Sequence, residues 1–175
     1  MYNTWSRYAL MAIFALCALA SLYYNQYQLA SVSALLFAFI LWSHFKQGSV
    51  LMASKYFKNA DYDKTEELLN EIARPDQLAK NRRGYYEFMK ANIALHREDY
   101  EQAEYHFQLA SRFPLGGQND KAFVLIHLAN LALRKEDGER ALAYLESAKE
   151  LATTSRAKDI IKTIEKEANN LAIKK

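Results

Sequence analysis

Asp99-Tyr100-Glu101-Gln102-Ala103-Glu104-Tyr105-His106-Phe107-Gln108-Leu109-Ala110 is the stretch on which the fold turns. Its pattern returns 38 residues later at residues 137–148 and stands 38 residues earlier at residues 61–72. The period also runs upstream of each copy. Ala53, Ala91 and Ala129 are in step, and so are Ser54, Asn92 and Asn130. A fixed spacing of matched small and large residues marks stacked structural repeats.

Each copy opens on Asp61, Asp99 or Asp137, a residue type that caps a helix N-terminus and favours the positive end of its dipole. From there Thr65/Ala103/Ala141, Leu69/Phe107/Leu145 and Ile72/Ala110/Ala148 fall at i, i+4 and i+7, one face of a helix. Small residues let neighbouring helices approach, and the large residue fills the space between them. A partner helix precedes each copy, ending near Phe57-Lys58, His96-Arg97 and Arg134-Lys135. Pro75 and Pro114-Leu115-Gly116-Gly117 punctuate the junctions, where they interrupt no helix interior.

This pattern resembles the tetratricopeptide repeat. The small residue of the family's first helix is matched by Ala53, Ala91 and Ala129. Its later Ala, large and Ala positions are matched by Ala103 and Ala141, by Leu69, Phe107 and Leu145, and by Ala110 and Ala148. The spacing here is 38 rather than the family's 34, repeat one carries Thr65 and Ile72 in place of Ala, and the family's tryptophan is missing. The resemblance implies an all-α solenoid of three helix pairs over about residues 46–75, 84–114 and 122–152. The stripe Ile160, Ile161, Ile164, Ala168 and Leu171 marks residues 155–172 as a capping helix over the last pair.

The chain ahead of the repeats is chemically different. Residues 1–45 contain no Asp or Glu and one basic residue, Arg7. The remaining 22 basic and all 20 acidic residues lie in 46–175, a formal +2 that does not point to nucleic acid. Residues 8–24 and 29–45 are 17-residue runs with no Asp, Glu, Lys or Arg, joined by Asn25-Gln26-Tyr27-Gln28. Their pattern predicts a two-helix transmembrane hairpin over residues 1–45. Trp5, Tyr8, Trp42 and Phe45 would form one interfacial belt, with Tyr23, Tyr24 and Tyr27 forming the other. Small residues from Ala9 to Ser21 and at Ala30, Ala34 and Ala38 are the expected contact faces. Arg7 and Lys46, Lys55 and Lys58 at the two ends place both termini in the cytoplasm. This gives a multi-pass integral membrane protein of the bacterial inner or plasma membrane type, with residues 46–175 cytoplasmic. A cleaved leader ending at Ala18-Leu19-Ala20 is the competing reading, and the second apolar run weighs against it. The lone Cys17 reads as apolar filler. Gly48 leaves open a hinge or a continuous helix into the first repeat.

No residue pattern carries chemistry. The histidines His44, His96, His106 and His127 have no metal-ligand spacing, and there is no phosphate loop or nucleophile motif. The expectation is therefore no enzyme, no cofactor and no metal. In the resembled family the inner wall comes from the first helix of each pair. Mapped here, the wall includes Tyr85, Phe88, Asn92, Leu95, Phe123, Ile126, Asn130 and Leu133. Aromatic rings supply contact area, and the Asn amides both donate and accept. Packing between repeats is the alternative role for the same side chains. Val50, Ser54, Met89 and Phe123 stand where members that clamp a carboxylate need cations or amides, and only His127 is ionisable there. The partner expected is a protein segment, a peptide or helix, with a second copy of the chain as an alternative. The architecture is similar to bacterial inner-membrane tetratricopeptide proteins, including those linked to haem and envelope biogenesis. Together these features imply a membrane-anchored adaptor or scaffold, or else an obligate subunit of a larger membrane complex.

Overall fold

The computed structural model of the chain describes residues 4–173. The side chains of residues 4, 5, 7, 44, 45, 47, 172 and 173 lie outside that description, and with them the expectations placed on Trp5, Arg7, His44 and Phe45. The described chain is helical, with no strand. In order come α1 (Thr4–Tyr23), α2 (Tyr27–Gln47), α3 (Val50–Lys58), α4 (Tyr62–Asn70), a 3-10 turn (Pro75–Gln77), α5 (Lys80–His96), α6 (Tyr100–Ser111), α7 (Gln118–Arg134), α8 (Gly138–Leu151) and α9 (Ser155–Ile173).

The period of 38 has a local cause at each turn within a pair. Asp61, Asp99 and Asp137 cap α4, α6 and α8, each side chain accepting from the backbone N–H three residues on. The residue before each Asp is left-handed: Ala60 at φ 58°, Glu98 at 61° and Glu136 at 57°. The Asp N–H then reaches back to the carbonyl of Tyr56, Ala94 or Ala132, which closes the first helix in a Schellman motif. Asn25, at φ 57°, ends α1 in the same way, with Gln26 N–H on the Ser21 carbonyl.

Burial repeats as well. Ala53, Ala91 and Ala129 are fully buried, as are Thr65, Ala103 and Ala141, while Leu69, Phe107 and Leu145 fill the space between helices. Polar contacts between successive pairs follow the same spacing. Arg97 pairs with Glu66, and Lys135 pairs with Glu104 at 2.6 Å. The Tyr62 ring lies 4.5 Å from His96, and Arg134 sits over Tyr100 at 4.3 Å. The first and second pairs are thus joined as the second and third are. α9 closes the array through Ala157, Ile161, Ile164 and Ala168.

The boundaries differ from the sequence reading in one respect. α5 starts at Lys80 and α7 at Gln118, so the junction residues extend these helices to 17 residues each. Gly84 then lies inside α5, where a Cβ would stand 2.7 Å from the Pro114 carbonyl oxygen. Close backbone approach at the second junction therefore requires glycine there.

α1 and α2 pack as an antiparallel hairpin, but the transmembrane reading of it is corrected. Among the described residues no helix is long and apolar enough to cross a membrane. Each uncharged run rises about 26 Å, at the short end of what spans a hydrocarbon core. The spans at 8–24 and 29–45 and the multi-pass inner-membrane placement with cytoplasmic termini fall with that finding, and with the spans goes the argument that named the bilayer as a partner. The expected small-residue stripes supply only part of the contact face. Ala30 is buried and Ala15, Ala18 and Ser21 are half-buried, but Ala9, Ala12, Ala34 and Ala38 are exposed, and larger side chains share the face: Met11 is buried and Phe14, Phe37 and Ile40 are half-buried. Cys17 is exposed on the same hairpin.

The join between hairpin and repeats is a break, not a continuous helix. Gly48 sits at φ 54° between α2 and α3. A Cβ there would lie 3.1 Å from Leu78 and 3.2 Å from Ile72. The Ala79 N–H donates to the Lys46 carbonyl at 2.9 Å, tying the end of α2 to the start of α5.

Candidate protein-binding face

The expected wall residues come from α5 and α7, and the structure divides them. Ile126 and Leu133 are buried in the core. Phe88 lies edge-on to Phe57 at 5.9 Å and to Phe107 at 6.2 Å, so its ring bridges the first and second pairs. Asn92 donates from Nδ2 to the Phe88 carbonyl at 2.7 Å, which commits part of its amide. The Tyr85 hydroxyl donates to Asp120 Oδ2 at 3.1 Å and accepts from Gly116 N–H at 3.1 Å, latching α5 to the start of α7. Burial, and then the Asp120 charge, push the Tyr85 pKa up.

Leu95, Phe123 and Asn130 remain. Leu95 and Phe123 are half-buried against the core, each with part of its surface outward. Asn130 is exposed, and its amide has no hydrogen bond among the described residues. The free part of the face is therefore narrower than the period implies, and it centres on α7.

A carboxylate clamp does not fit the wall. Val50 and Met89 are buried, and the Ser54 hydroxyl donates to its own helix at Leu51 O. His127 is stacked on Phe107 at 4.8 Å and 8°, and burial lowers its pKa, so it is neutral near pH 7.

Two ionic clusters escaped the sequence reading. Glu87 is 1% exposed on α5 and meets His106 Nδ1 from α6 at 2.6 Å. Arg83 Nε lies 2.7 Å from the other Glu87 oxygen but off the hydrogen-bond direction, so this is a charge contact. The Arg83 guanidinium also lies over Tyr86 and Phe113. Arg83 thus turns inward and packs within the array. The spacing of Arg83 and Glu87 at i, i+4 was the available signal. The second cluster is Glu104 with Lys135 and Arg140. Burial pushes the Glu104 carboxyl up, but the Lys135 hydrogen bond and the two cations hold it below its ordinary range. Both clusters join helices of the array. Among the described residues, no group of three His, Cys, Asp or Glu side chains is placed to hold a metal ion.

No family model matches the chain, and no curated protein or solved structure matches it either.

Proposed function

We propose that residues 46–175 form a tetratricopeptide-like solenoid that acts as a protein-binding adaptor, with no catalytic role. The observation that carries this reading is the unspent part of the α7 face. Asn130 offers a free amide on the helical face that carries Phe123, two turns along α7, and Leu95 of α5 supplies apolar area from the preceding pair. An amide beside apolar surface suits an extended or helical segment that presents backbone polar groups and apolar side chains. The test is affinity capture with the intact chain and with Asn130→Arg, whose exposed position leaves the fold intact by circular dichroism. Loss of a captured partner with Asn130→Arg supports the reading. Capture of the same proteins by both chains sinks it.

A second reading rests on the hairpin. Fourteen large apolar or aromatic side chains of residues 8–42 are exposed, Leu16, Leu35 and Phe39 among them. Surface of this kind marks an interaction site when it is contiguous. It favours an obligate subunit whose hairpin is covered by other chains of a complex. That reading predicts partners lost on deleting residues 1–47 and retained with Asn130→Arg.

A further inference from the structure

A cleft of about 910 Å³ opens where the hairpin meets the first repeat. Its volume lies in the range of small-molecule sites, about 300–1,000 Å³. Tyr8 and Trp42 give it aromatic surface from α1 and α2, and Ile72 adds an aliphatic side chain from the end of the first pair. Lys46 of α2 and Arg74 of the following loop bring two cations to the same cleft. Neither has a carboxylate partner among the described residues. Glu71 also lines the cleft, but its Oε2 accepts from the Ser49 hydroxyl at 2.7 Å. Among the described residues, the lining therefore carries a surplus of one positive charge beside an aromatic and aliphatic surface. Gly48, at its left-handed φ of 54°, also lines the cleft.

We propose that this cleft binds a small amphiphilic anion, with its apolar body against Trp42, Tyr8 and Ile72 and its oxyanion on Lys46 and Arg74. A carboxylate or a phosphate monoester serves as the head, because a guanidinium and an ammonium bind either one. A neutral amphiphile would leave both cations unpaired, and a bare anion would leave the aromatic surface unused.

The test is equilibrium dialysis of the full chain against labelled decanoate, with decanol and inorganic phosphate as separate competitors. Decanoate should bind at one saturable site. Decanol should displace it at least tenfold less well than unlabelled decanoate, and inorganic phosphate should displace it less well still. The double variant Lys46→Gln, Arg74→Gln should weaken decanoate binding about tenfold. Both side chains are exposed, so circular dichroism should show an unchanged fold. Trp42→Ala, also at an exposed position, should weaken decanoate and leave the double variant's far-UV spectrum unaltered when added to it. Equal competition by decanol, or full affinity in the double variant, would overturn the proposal in favour of adsorption on the exposed hairpin. Competition by inorganic phosphate as effective as by decanoate would overturn it in favour of a simple anion site.

Discussion

The hairpin and the repeat array dispose of large apolar side chains in opposite ways. Of the sixteen described as exposed, fourteen lie in α1, α2 and their turn, and only Leu51 and Tyr105 lie in the array. The hairpin buries Met11 and Ala30, whereas the second and third array pairs each bury a full small–large–small face and the first buries Thr65 and Leu69. The difference lies in the pattern, since hydrophobic content is higher in the hairpin. Apolar residues set at i, i+4 and i+7 face one way and meet a neighbour. Apolar residues on every side of a two-helix unit cannot all meet each other. The array therefore completes its own core, and the hairpin presents surface that nothing within the described chain covers.

The largest expected effect sets the two regions against each other. Phe107→Ala, at the centre of the array, should cost about 4 kcal/mol in denaturant unfolding, while Leu35→Ala in the hairpin should stay within about 0.5 kcal/mol. Equal losses at the two positions would show that the hairpin is packed as tightly as the array. The join comes next. Gly48→Ala places a side chain on a left-handed residue against Ile72 and Leu78, and should cost about 1–2 kcal/mol. If stability is unchanged, the hairpin and array are not held by this turn.

A smaller effect separates two groups of the array, His127 and Glu104, by pH. The buried His127 has its pKa lowered below the ordinary 6.5. The unfolded chain therefore takes up that proton first, and stability falls as pH drops below about 6.5. Glu104 is lowered from 4.5, so its contribution is present above that value and is lost only at more acid pH. Unfolding of His127→Phe should lose the decline that begins near pH 6.5 and keep the one below 4.5. An unchanged profile would remove the neutral imidazole from the account of the core.

The smallest effect is a gain. Glu98 occupies a left-handed turn without being glycine or asparagine. Glu98→Gly should stabilise the array by about 0.5 kcal/mol, the left-handed penalty less the greater entropy that glycine loses. Asn25 already has a tolerant side chain at the matching turn of the hairpin, so Asn25→Gly should change stability by less.

Much of the array was legible because its causes are local. Asp61, Asp99 and Asp137 mark helix starts by their capping chemistry, and the matched Ala positions mark the buried face by spacing alone. The left-handed residues Ala60 and Glu98 were not legible, since neither is a type that advertises positive φ. The candidate face was legible only as a set of positions. By period, Asn92 and Asn130 are equivalent. In the fold, Asn92 spends an N–H on the Phe88 carbonyl and Asn130 spends none.

The hairpin shows the same boundary from the other side. Its charge-free runs and the short turn between them determined two antiparallel helices. They did not determine what surrounds those helices, and the small-residue stripes became only part of the contact face, which Met11, Phe14 and Phe37 share. The sequence by itself determined the helices, their caps, the period and the buried small–large–small face. These depend on residues within a few positions of one another, where spacing is geometry. Only the tertiary structure decided which wall side chains are consumed between pairs, that His106 of α6 reaches Glu87 of α5, and that Gly48 breaks the chain beside a cleft. Those outcomes depend on groups about 20 to 35 residues apart, whose distances no local pattern encodes.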